Sequence, residues 1–102
     1  MDLSYIKPGA VYTFKLNSGE EVIGKVLELT DDTVVLQDPV SIAPSPKGMQ
    51  LVPSIFTADA KENVRLNTTS VSLVAKTADE VTDKYREATT GITVPEKKLV
   101  LG

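Results

Sequence analysis

The side chains best suited to chemistry in this 102-residue chain are carboxylates and small polar groups: Glu20-Glu21, Glu28, Asp31-Asp32 and the run Asn67-Thr68-Thr69. Two carboxylates held across a cleft perform glycoside hydrolysis. Here the acidic pairs are adjacent in sequence, and nothing in the pattern sets one carboxylate opposite another. Asp31-Asp32 fit a cation site, an RNA-facing loop or an ordinary turn, since aspartates bond their own backbone in turns. Asn67, Thr68 and Thr69 fit either base recognition by hydrogen bonds or local side-chain-to-backbone bonding. The chain has no histidine and no cysteine. It therefore lacks the neutral imidazole base, the commonest zinc ligands and any disulfide. No catalytic constellation emerges, no cofactor is called for, and the expectation is a protein that is not an enzyme.

Charge constrains partners in the same direction. The formal net charge is −3, and only Arg65 and Arg86 supply guanidinium groups. Phosphate neutralisation by Lys and Arg provides most non-specific nucleic-acid affinity, so an RNA role must act against the overall charge. The opening "MDLSYIKPGA" lacks the apolar core of a signal peptide, and no apolar run is long enough to span a bilayer. The expectation is a cytoplasmic protein with no membrane partner.

These polar groups are carried by short alternating segments. "VYTFKL" sets Tyr12, Phe14 and Leu16 on one face, "EEVIGKVLEL" and "TVVLQDPVSI" follow after glycine and aspartate turns, and "APSPKG" reads as a proline-rich loop. "MQLVPSIFTA" makes a fourth strand. "DAKEN" is a polar excursion, and "VRLN" leads into the fifth strand, "SVSLVAK". Pro39 and Pro53 mark bulges or edges, because proline donates no ladder hydrogen bond. Gly24 stands inside a strand, where glycine is weak, and points to a tight bend. One helix is expected over about 78–90. Thr77 and Glu80 have capping-box spacing, Val81, Tyr85 and Ala88 form one apolar stripe, and Gly91 supplies the stop. The fold class is mainly β: a small, strongly bent, five-stranded antiparallel barrel over about 10–76 with a C-terminal helix. Residues 1–92 form a single domain and 93–102 a tail.

Leu16, Gly19, Val22 and Gly24 occur in the order and spacing of a known motif, and Leu66, Val71 and Val74 fit the apolar positions of a second. The chain thereby resembles the Sm-like (LSm/Hfq-like) family over residues 10–75, the first half being the more specific. The helix followed by "ATTGI" resembles a form of this fold carried by tailed phages, which would place the protein in the host cytoplasm. The resemblance implies a homo-oligomeric ring of roughly six or seven subunits, closed by heterologous pairing of open strand edges. Interface candidates are Met49, Leu51, Val52, Ile55, Phe56, Val71 and Leu73, and nucleic-acid candidates are Thr30, Asp31, Asp32, Asn67, Thr68 and Thr69. The departures from the family lie where RNA is read. Its acidic loop position falls on Thr30 and its asparagine position near Val34, its Arg-Gly pair corresponds to Asn67-Thr68, and the Tyr-Lys-His uridine motif is absent. The implied function is a non-enzymatic ring binding RNA weakly through pore-side loops. The alternative is a structural or adaptor oligomer that holds a protein partner without nucleic acid.

Overall fold

The computed structural model describes residues 3–90 of the chain. Six antiparallel strands and one helix appear in the order β1 (Val11–Leu16), β2 (Glu21–Leu29), β3 (Thr33–Ser45), β4 (Gly48–Pro53), β5 (Val64–Asn67), β6 (Val71–Lys76) and α1 (Asp79–Thr89). A 3₁₀ turn, Thr68–Ser70, joins β5 to β6. The strands follow the order β4-β3-β2-β1-β6, and β5 pairs with β3. β2 therefore runs along one edge of β3, while β5 and β4 lie end to end along the other, opposite Thr33–Leu36 and Val40–Ser45. The mainly antiparallel β class is as the alternation implies.

Six strands replace the expected five because "VRLN" pairs with β3 in its own right. The fourth strand stops at Pro53, and residues 54–63 make an excursion before β5 begins. "APSPKG" is mostly strand rather than loop. Ala43, Pro44 and Ser45 pair with Gln50, Met49 and Gly48, leaving a tight turn closed by Gly48 at φ +115°. The Ser45 hydroxyl fixes that turn, donating to the Gly48 carbonyl and accepting from the Lys47 N–H.

Irregular register divides the apolar side chains between two layers. The β2–β3 register shifts between Ile23 and Lys25, where Asp38 and Pro39 both lie opposite Gly24, and again between Val26 and Glu28. An extra residue bends a strand and moves the following side chains to its other face. Val34 and Leu36 accordingly face one cluster and Val40 the other, although their numbers share one parity. Asp38 carries the distortion, with φ at +50°, a region that aspartate tolerates better than most residues.

The first cluster is built on Phe14, Val26, Val34 and Leu36, each at most 1% exposed. Tyr12, Val22 and Val71 join it, with Leu66 of β5 and Val74 of β6 packed against it. Leu3 and Ile6 also enter it, so the opening segment is core; the Lys7 N–H donating to the Tyr12 hydroxyl at 3.0 Å helps hold it. The second cluster lies on the opposite sheet face, where Val11, Ile23 and Val40 meet Tyr85, with Ile42, Leu51 and Val81 around them.

Gly24 keeps a φ that any residue can adopt; what it supplies is space. A Cβ there would stand 3.3 Å from both Cβ and Cδ2 of Leu36. A register shift falls where the bend is expected, and the glycine lets the β3 side chain approach closely.

The helix lies within its expected span but begins differently. Its N-cap is Ala78, with no side-chain cap. The capping box does not form: the N-cap falls one residue later, on Ala78, and the Thr77 hydroxyl instead bonds that of Thr13 at 2.8 Å, across to β1. Val81 and Tyr85 face the sheet, whereas Ala88 is exposed, so the packed stripe ends at Tyr85. Gly91 and the tail 93–102 lie outside the described residues.

Candidate interaction surfaces

Thr30, Asp31, Asp32, Asn67, Thr68 and Thr69 are brought to one end of the sheet. Thr33 pairs with Asn67 in the β3–β5 register. Thr68 bonds the neighbouring turn twice, its N–H donating to the Asp32 carbonyl at 2.9 Å and its hydroxyl to the Asp31 carbonyl at 3.2 Å. The Asn67 carboxamide oxygen accepts from both the N–H and the hydroxyl of Thr69. Thr30 accepts at its hydroxyl from the Thr33 N–H. Much of this hydrogen-bonding capacity therefore builds the loops themselves. The exposed carboxylates of Asp31 and Asp32 face outward from this end, an arrangement that repels phosphate.

Asn17 belongs to the same network, although the sequence shows it only as a turn residue. Its N–H donates to the Ser70 carbonyl and its Nδ2 to the Thr69 carbonyl, while its Oδ1 accepts from the Ser72 hydroxyl. The β1–β2 turn is thereby tied to the start of β6.

The acidic pair Glu20-Glu21 has structural partners. Glu20 accepts from the buried Ser41 hydroxyl at 2.7 Å, and Ser41 shares a further bond with the Ser54 hydroxyl at 2.8 Å. This chain anchors the start of the 54–63 excursion. Glu21 approaches Lys15 at 3.9 Å, and Glu28 is exposed further along β2. Among the described residues no group of three His, Cys, Asp or Glu side chains could hold a metal ion.

The apolar interface candidates divide. Val71 belongs to the first cluster, Leu51 packs against the second, and Val52 is half-buried. Met49, Phe56 and Leu73 remain 64–69% exposed and Ile55 43%. Met49 and Leu73 lie on the two strands that end the five-strand path. Ile55 and Phe56 stand in the excursion between β4 and β5. Among the described residues the outer edges of β4, β5 and β6 carry no partner strand.

The helix meets the irregular stretch of β2 and β3 through Tyr85. Its hydroxyl donates to the Gln37 carbonyl at 2.6 Å and accepts from the Lys25 N–H at 3.1 Å, linking two residues that face one another across the β2–β3 pair. Burial is the main cause that pushes the phenol from its ordinary value of 10 up to about 12, with the Lys25 N–H acting the other way. Because the folded value is raised, this contribution to stability is complete below pH 10 and is lost as pH climbs through 12. Urea midpoints of the wild-type chain are expected to fall across that window by more than those of Tyr85→Phe. Parallel decline in the two proteins would assign the alkaline loss to other groups.

No family model matches the chain, and no curated protein resembles it closely enough to register as a match.

Proposed function

We propose that the chain is a non-enzymatic, ring-forming protein of the Sm-like type. In this reading the bent sheet closes into a small barrel, with β5 held on β3, β6 held on β1 and the 3₁₀ turn completing the circuit. The observation that carries the proposal is the pair of open edges at the two ends of the path β4-β3-β2-β1-β6. Open edges are templates for pairing with another chain. Met49 alternates with Leu51 on the helix-bearing face, and Leu73 pairs opposite Lys15 on that same face. Pairing β4 of one copy with β6 of the next would bring these exposed side chains together, and repetition closes a ring when the rotation permits.

RNA is at most a weak ligand of such a ring. The hydrogen-bonding groups at the loop end are largely engaged, and a ring would repeat Asp31 and Asp32 around one opening. Neutral hydrogen bonds return only about 0.5–1.5 kcal/mol each. The same observations favour a second reading, an adaptor oligomer that holds a protein partner and no nucleic acid.

Light scattering at micromolar concentration is expected to give a multiple of the 11.0 kDa chain mass, reduced to monomer by Met49→Glu or Leu73→Glu without loss of the folded spectrum. A wild-type monomer would end the ring proposal. Titration with labelled oligo-U and oligo-A at physiological salt separates the two readings: weak, salt-sensitive, base-indifferent binding supports the first and no binding the second. Tight U-selective binding lost in Asn67→Ala would overturn the weak-binding expectation and the adaptor reading while leaving the ring in place.

A further inference from the structure

The outer edge of β6 carries no partner strand, but a side chain reaches it. Residues of an antiparallel strand turn their N–H and C=O groups alternately toward one neighbour and away from it. The Thr77 N–H donates to the Val11 carbonyl. Two and four residues on, Thr13 and Lys15 therefore bond across to Ala75 and Leu73, which they face in the β1–β6 register. Val74 lies between those two, opposite Phe14, and so turns its N–H and carbonyl outward. That carbonyl accepts from the Tyr5 hydroxyl at 3.2 Å. Tyr5 is 50% exposed and belongs to neither apolar cluster. Leu3 and Ile6 on either side of it are buried, and the Ile6 N–H donates to the Leu3 carbonyl at 3.0 Å. The opening segment is thus anchored independently of Tyr5, whose side chain can swing into water for the loss of one hydrogen bond.

A strand added to this edge must bring its own N–H to about 2.9 Å from the Val74 oxygen, close to where the phenol oxygen now stands. β4 has such groups to bring. The Ser54 N–H donates to the Pro39 carbonyl, so by the same alternation Val52 and Gln50 bond toward β3 while Leu51 and Met49 turn their N–H groups outward. We propose that Tyr5 guards the β6 edge: in the free chain its hydroxyl holds the Val74 carbonyl, and β4 of a second copy must displace it in order to pair there. The proposal rests on the ring reading and adds a control to it. A chain on its own keeps its edge blunted, as edge strands need if they are not to pair indiscriminately, and assembly begins only at a concentration high enough to offset the lost bond.

The test is sedimentation velocity across a dilution series of the full chain, comparing wild type with Tyr5→Phe, which keeps the ring and loses only the donor, and with Tyr5→Ala. Tyr5→Phe is expected to assemble at a concentration about two- to tenfold below that of the wild type, the contribution of one hydrogen bond at each junction. Tyr5→Ala should shift in the same direction. Unchanged assembly of Tyr5→Phe, or weakened assembly of Tyr5→Ala, would overturn the guard and leave the ring standing. Wild type and both variants monomeric at every concentration would overturn guard and ring together. A second readout needs no variant. Wild type labelled with 3-fluorotyrosine carries three reporters, and on assembly the ¹⁹F signal of Tyr5 is expected to move while those of the buried Tyr12 and Tyr85 stay in place. A Tyr5 signal unmoved by assembly would likewise overturn the guard.

Discussion

Tyr85→Ala is expected to cost about 3–5 kcal/mol of unfolding free energy, the range for losing a buried aromatic ring. The side chain is 3% exposed and forms the helix's main anchor on the second cluster. Its loss leaves a cavity beneath α1 and removes the hydroxyl that bonds both the Lys25 N–H and the Gln37 carbonyl. Tyr85→Phe separates these effects. It keeps the ring but withdraws the hydroxyl from two backbone groups at a bulge, a loss of about 1–3 kcal/mol. Urea unfolding at fixed protein concentration, followed at 222 nm, measures both variants; fixing the concentration keeps the mass-action contribution of any oligomer the same in each. An unchanged midpoint for Tyr85→Ala would mean that the helix does not depend on this anchor.

Gly24→Val is the second large loss, expected near 3 kcal/mol, with Gly24→Ala about 1–2 kcal/mol, because added atoms in a packed interior force backbone or rotamer shifts. Two contacts at 3.3 Å await a Cβ at this position. Leu36 Cδ2 can withdraw by rotating, but Leu36 Cβ is fixed to the β3 backbone. Part of the cost therefore cannot be relieved by the side chain. The double variant Gly24→Val/Leu36→Ala should lose less stability than the two single losses added together, since one change makes room for the other. Strict additivity would show that the cost comes from the Leu36 Cβ, which alanine keeps, or from outside Leu36.

Alternation and turn residues made the strands legible, and the spacing of Val81 and Tyr85 revealed the helix face. The division between the two clusters was hidden, because "VVLQDPVSI" appears to alternate without interruption while Asp38-Pro39 shifts its phase. A bulge leaves no mark on hydropathy; the proline was the available signal, and it did not specify the direction of the shift. Leu3 and Ile6 were passed over because they belong to no periodic run. The Thr77 capping box did not form because the helix begins one residue later, with Ala78 as its N-cap, while Thr77 bonds Thr13 on β1. In the candidate surface, residue types indicated which loops converge, but not that Thr68 and Asn67 would use their hydrogen bonds to build them.

The excursion at residues 54–63 has a consequence for how the chain can vary. Pro53 and Val64 are both secured to β3, opposite Val40 and Leu36, so the two ends of the loop stay put whatever lies between them. The entropy of closing such a loop grows only logarithmically, by about 0.6 kcal/mol for each doubling of length. The polar stretch from Thr57 to Asn63 is exposed and contributes no residue to either cluster. Within the described fold, this is where residues can be gained, lost or exchanged for a foreign peptide with least disturbance to the core, a natural graft point for a tag or an epitope.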